Sequence, residues 1–418
     1  MKNRLFRKIL TGTMVFVLAF GAVGCTSQVT PSADAGASDS APTEDEIETR
    51  IQEAVDKAVA EATSDCCDTE GNQDAKSEDT GVTDTASDIA DTKNINTQIA
   101  ALASLSKEEL EKKFAEEEGG KRTLHISYDG GLCPAPIPIA QLKGFFADEG
   151  LDTELVAVEN QRDALAAGKI DTALGMLTDW LPSIQNGVDL RFSIALHTGC
   201  TSAAVLPDSG ITAFEKGQRV GIVGAIGGVY HNIALRFIDH DGFKAEDFTW
   251  VSLDAGTILK ALQEGQVDVI VAADQLIAQW EDDGLVTTIR SQTFDDDFKN
   301  EACCAIGFPG EFVEENPVTV LKITRAIYNS ALWIQESDAN RKEAAELLID
   351  GGYASGEVDY NARLLGTMKY GLDNQDLEKS LSDIVDEFVE LEILNPDTDK
   401  EAFKNQILIK YDLNLLKE

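Results

Sequence analysis

The sequence predicts an α/β clamshell, two doubly wound lobes joined by two crossing strands, and three observations carry that prediction. Short apolar strands alternate with helices over residues 123–272, the pattern of parallel sheets covered on both faces. The pattern runs twice: Ala164-Leu165-Ala166-Ala167-Gly168-Lys169-Ile170-Asp171 is echoed by Ala261-Leu262-Gln263-Glu264-Gly265-Gln266-Val267-Asp268, a pseudo-duplication. Apolar stretches at 189–196 and 201–206 leave the first repeat, and 302–308 returns to it. Two such crossings make a hinge.

The first 24 residues are processing information. Lys2, Arg4, Arg7 and Lys8 precede an apolar run over 9–22, a secretion signal too short and too Gly-interrupted for a spanning helix. Ala22-Val23-Gly24-Cys25 resembles the lipobox of bacterial lipoproteins. That resemblance implies cleavage before Cys25, lipid on its thiol and an extracytoplasmic, membrane-anchored location. Residues 25–120 read as a solvated acidic tether, rich in Asp, Glu, Ser and Thr, with Phe114 its one aromatic. Apolar spacings at 44–62 and 95–118 are read as transient helix on that tether. The net charge of −39 excludes a nucleic-acid partner, because a polyanion would be repelled.

In the first lobe, strands are expected at 123–128, 151–158 and 170–174, with a helix ending at Gly150 and another closing at Gly168. The second lobe opens on 219–237: a strand, a glycine turn at Gly224, Gly227 and Gly228, then a helix. Those glycines fit neither a dinucleotide fingerprint nor a P-loop, since the spacing is wrong and no Lys follows. Strands at 248–253 and 267–272 follow, with a helix at 257–264. Helical patterns at 318–335, 341–349 and 377–391 finish the first lobe and brace the hinge. Ligands of such sheets sit at the carboxyl ends of strands, so six loops are placed around one cleft.

The order of several short segments resembles the solute-binding proteins of ABC importers, in the branch for nitrate, sulfonates, taurine and thiamine-precursor pyrimidines. The segments are 139–151 (IAQLKGFFADEGL), the two Ala-Leu-x-x-Gly-x-[Ile/Val]-Asp units, 208–211 (DSGI) and 312–317 (FVEENP). The resemblance implies a periplasmic-binding-protein-like fold with lobe 1 at 121–201, lobe 2 at 202–302, and a return to lobe 1 with C-terminal helices over 303–418. It also implies a monomeric receptor that captures a small molecule such as nitrate, a sulfonate or taurine and delivers it to a permease and ATPase. Family contacts carried onto this chain fall on Tyr128, Asp129, Gly130 and Cys133, on Met176, Thr178 and Trp180, and on Ala225, Gly227, Gly228 and His231. No catalytic activity is expected. The fungal pyrimidine synthases of related fold have a longer cysteine run than Cys303-Cys304, and no G-x-S-x-G or triad context is present. A pyrimidine-synthase-like enzyme stands as the alternative.

With Cys25 lipidated, six cysteines remain: Cys66 and Cys67 in the tether, and Cys133, Cys200, Cys303 and Cys304 in the body. One reading is a disulfide from Cys200 to Cys303 or Cys304, permitted outside the cytoplasm. The other adds His197 to Cys200, Cys303 and Cys304 as a soft site for Cu, Zn or a thiophilic ligand, in a receptor or sensor. No other cofactor is implied. The cleft loops contain no Lys or Arg, and Arg162 is the nearest cation. Trp180 and Tyr128 are candidates for stacking a flat ring as well as for packing.

Overall fold

The computed structural model describes residues 95–158, 160–412 and 415–416. The signal, Cys25, Cys66, Cys67 and the 44–62 helix pattern lie outside the described residues. No described helix is long and apolar enough to cross a membrane.

The first lobe begins with β1 (Leu124–Tyr128), α2 (Pro136–Leu142), α3 (Phe145–Asp148), β2 (Thr153–Ala157), α4 (Gln161–Ala166), β3 (Ala173–Met176) and α5 (Leu177–Gln185). The chain then crosses on β4 (Arg191–Thr198) and β5 (Thr201–Val205). In the second lobe come β6 (Arg219–Val223), α6 (Val229–His240), β7 (Thr249–Leu253), α7 (Ile258–Gln263), β8 (Val269–Ala273), α8 (Asp274–Asp282) and β9 (Thr287–Ser291). Return is on β10 (Ala302–Phe308), followed by α9 (Gly310–Glu315), α10 (Pro317–Glu336), α11 (Asp338–Asp350), α12 (Val358–Leu365), α13 (Asn374–Glu390) and α14 (Lys400–Ile407).

The second-lobe sheet has the order β7-β6-β8-β5-β9, with β6 parallel to β7 and β8. In the first lobe β1 pairs parallel with β2, while β3-β10-β4 form a separate antiparallel ladder. Wholly parallel sheets, one per lobe, are therefore not what forms. The crossing strands β5 and β10 arrive from the opposite lobe, so they enter each sheet against its direction.

The repeated Asp explains why the grammar recurs. Asp171 accepts the His125 amide at 2.7 Å and pairs with Arg122. Asp268 accepts the Arg219 amide at 2.8 Å and pairs with the Arg219 guanidinium. Each carboxylate thus staples the opening of its lobe's first strand to the turn before the third, and the Gly three residues earlier, Gly168 or Gly265, takes the left-handed conformation that ends the helix.

The tether reading fails beyond residue 94. Residues 95–102 are helical, and Ile95, Ile99 and Leu102 are buried in one core with Phe114 of α1 (Lys107–Glu116) and with α10. The Glu117 carboxylate accepts the Val318 and Thr319 amides at 3.0 and 2.8 Å. It caps the positive end of α10 from outside that helix. The few apolar residues of an acidic segment suffice when they share one helical face.

Candidate functional site

A cavity of about 620 Å³ lies at the carboxyl ends of the strands, between the lobes, within the range of small-molecule sites. Asp129, Gly130 and Cys133 reach it from the loop after β1, and Arg162 from α4. Gly175, Met176 and Asp179 come from β3 and α5, and Tyr230 and Gln275 from the first turns of α6 and α8. Cys200 and Cys304 close its floor. A larger hollow of about 790 Å³ lies along α10, where Lys322 and Arg325 are engaged by Glu111 and Glu149.

The floor brings four free thiols together. Sulfurs of Cys200, Cys303 and Cys304 lie within 4.8 Å of one another, as do Cys133, Cys200 and a ring nitrogen of His197. Cys200 Sγ is 3.0 Å from Cys303 Sγ. Neighbouring residues on a strand point to opposite faces, yet Cys303 and Cys304 both reach Cys200. The ladder between β10 and β4 shifts register on both sides of Cys304, and such bulges re-aim side chains. Cys200 has φ 104°, a region rarely used by a residue with a side chain. Gly199 before it has φ 79°, and a Cβ there would stand 2.9 Å from Thr293 Cα.

Electrostatics follow from this crowding. Hydrogen bonding from Cys200, aided by His197, brings the Cys133 thiol down to about 6 although burial opposes it. Burial also opposes a charged His197, but thiolate character at Cys304 and Cys133 outweighs it and holds the imidazole well above its ordinary value. Asp129 is pushed up to about 7 by burial and then by Cys304 and Cys133. It is a carboxyl balanced between donor and acceptor at neutral pH.

Of the residues named from sequence, Asp129, Gly130, Cys133, Met176, Trp180 and Cys200 line the cavity, and His197 is buried beside its sulfurs. Others fall outside its wall. Tyr128 hydroxyl donates to the Tyr353 carbonyl, and Thr178 is buried, its carbonyl accepting from Asn232 at 3.1 Å. The glycine turn with Ala225, Gly227 and Gly228 stands beyond the wall, which begins at Val229. His231 turns inward, accepting the Gly227 amide at 3.2 Å and meeting Trp250 edge-on. Trp180 is no free stacking platform, because Arg162 covers its ring at 4.6 Å and its indole donates to the Leu174 carbonyl. Tyr230 and Gln275 were not singled out. Their signal was only their place within two of the six loops expected around the cleft. The one lining cation, Arg162, is held by Asp179 at 2.8 Å, so the wall offers little to an anion.

This two-lobed fold with an interlobe cleft is that of periplasmic binding proteins. It resembles the periplasmic nitrate-binding protein NrtA of Synechocystis PCC 6803 (TM-score 0.56, 16% identity, 68% of this chain and 86% of that one). It also resembles the aliphatic sulphonate-binding protein SsuA of Escherichia coli (TM-score 0.56, 18% identity, 69% and 92%). Residues 134–340 match the family model described as NMT1/THI5 like. A curated relative, 4-amino-5-hydroxymethyl-2-methylpyrimidine phosphate synthase of Candida albicans (strain WO-1), is 25% identical over 224 residues, which is 50% of this chain and 65% of the relative. The chain thus spans less than two thirds of that protein. Relatives of the same name occur in other fungi. Their naming as synthases overturns the expectation of a chain without catalytic activity, which had rested on the shortness of the Cys303-Cys304 run. Cys133, from the loop after β1, and Cys200, from the turn between β4 and β5, add to that short run in the cleft floor.

Proposed function

We propose that the chain handles a small planar nitrogen heterocycle of the aminopyrimidine class in its interlobe cleft, as a synthase-like protein whose reactive groups are the thiols and imidazole of the floor. The observation that carries the reading is the convergence of Asp129, Cys133, Cys200 and Cys304 on one cavity of a chain whose residues 134–340 match the NMT1/THI5 like model. An aminopyrimidine presents a ring nitrogen beside an amino group, and a carboxyl such as Asp129 pairs with that edge by two hydrogen bonds. Tyr230 and Gln275 close on it from the second lobe. With Arg162 consumed by Asp179, the unphosphorylated ring suits the wall better than its phosphate ester.

The experiment is calorimetry with 4-amino-5-hydroxymethyl-2-methylpyrimidine and its phosphate ester, followed by mass spectrometry of protein and products. Saturable binding of the free pyrimidine, at least about tenfold tighter than the ester, is the expected result, a gap of about 1.4 kcal/mol. No binding of either compound, together with no product, would remove the reading.

A second reading has its own support in the solved structures that share the fold: a receptor that passes its solute to an ABC permease. Both readings go with lipid on Cys25 and an extracytoplasmic location. Loss of lipid incorporation in Cys25→Ala checks the anchor. Retained incorporation would refute it.

A further inference from the structure

We propose that the floor of the cleft is a metal site holding one soft d10 cation, Cu(I) or Zn(II), on Cys200 and three of the four donors around it: Cys133, His197, Cys303 and Cys304. The inference shares the cleft with the pyrimidine reading but rests on donor geometry alone, so either can fail without the other.

Cys200 belongs to both donor triads and is their pivot. Size selects a single ion. Tetrahedral thiolates about 2.3 Å from a zinc ion stand about 3.8 Å apart, inside the 4.8 Å that contains each triad. An iron–sulfur cube places iron and sulfide between its thiolates and needs a wider cage. Softness selects the ion class, since thiolate with imidazole suits Cu(I) and Zn(II) and disfavours hard cations.

Independent support comes from His197, which is fully buried. Its Nδ1 donates to the Thr198 carbonyl at 3.0 Å, while Nε2 is buried with no hydrogen-bond partner. That is how metal-bound histidines are held: one nitrogen fixed by a carbonyl, the other left for the ion. A buried polar atom with nothing bound is destabilising, and a cation removes that cost. Across the ladder His197 stands opposite Cys304, so strand and imidazole present donors to the same place. Cys133, Cys200 and Cys304 also line the cavity, so the ion would face the bound molecule, as in sites that keep a coordination position open. Each thiol that binds, and the His197 imidazolium if it binds, gives its proton to solvent.

The test uses the full chain, purified reduced and without chelator, then loaded separately with Zn(II) and with Cu(I) under anaerobic competition by a chromogenic Cu(I) chelator. About one equivalent per chain is expected, and Co(II) in its place should give a thiolate-to-cobalt charge-transfer band. Cys200→Ser should abolish stoichiometric binding, His197→Gln should weaken it about tenfold or more, and Cys66→Ser with Cys67→Ser should leave it unchanged. A thermal melt checks folding, and Cys304→Ser serves as the second floor variant should Cys200→Ser not fold. Metal that survives both floor variants, metal that follows Cys66 and Cys67, or a Cys200–Cys303 disulfide that persists in place of metal in the loaded protein would each overturn the proposal.

Discussion

Asp129 and Gly199 show how single positions set the site. Asp129 is the one acid in the wall that touches the thiol field, and Asp129→Asn keeps its shape while removing the carboxylate. It should weaken aminopyrimidine binding by about tenfold or more, the scale of one charge-assisted hydrogen bond, read by calorimetry at neutral pH. An unchanged affinity would move recognition elsewhere. Gly199 passes the chain between lobes at φ 79° against the Thr293 backbone. Gly199→Ala should therefore destabilise by about 1–3 kcal/mol in a denaturant melt and displace Cys200, its neighbour. At this scale the sequence announced the cysteines and their convergence on the cleft, but not the backbone device that unites them. Cys303 and Cys304 are adjacent, and strand alternation would send them to opposite faces; the bulge that unites them leaves no mark in the residues themselves. Tyr230 was hidden beside glycines that looked more like ligand contacts than it did.

Elements were more legible, because apolar periodicity reports them directly. The strand expected at 219–223 is β6 itself, and the long 318–335 pattern falls inside α10. Antiparallel crossing strands were less so, since a buried strand reads alike in either direction. What sequence did not show at all is the bolt between α6 and α13. Arg236, 1% exposed, makes two 2.6 Å bonds to Glu301 and one of 2.5 Å to Glu387. Arg236→Met would leave the half-buried Glu301 without its partner and Glu387 with His240 alone, at a cost of about 1–3 kcal/mol, measured by urea unfolding. Next to it His240 meets Glu387 at 3.2 Å and Asp297 at 2.9 Å. Hydrogen bonding to Glu387, against burial and with help from Asp297, raises its value in the folded state. A raised folded-state value means that the stabilisation is full below the unfolded histidine's value of about 6.5 and fades as pH rises through the folded one. The melting temperature of His240→Gln should thus fall further below wild type at pH 5.5 than at pH 8.5. An equal gap at both would show that the ring acts only by packing on Phe298.

For the whole molecule, the duplicated lobes and the two crossings were foreseeable from one repeated sentence of sequence. The role of the segment before residue 121 was not, because its buried helix hides in an acidic composition. The assembled clamshell places α6 and α8 of one lobe opposite the β1 loop and α5 of the other, with the thiols at the hinge-side floor. Tyr230 and Gln275 thereby line the same cavity as Asp129. The most direct measurement is a co-crystal structure with 4-amino-5-hydroxymethyl-2-methylpyrimidine. The account predicts the ring in the cleft, its amino edge on Asp129 and its other edge toward Tyr230, above Cys200 and Cys304. A ring bound outside that cavity, or a cleft filled instead by an anion held on Arg162, would contradict it.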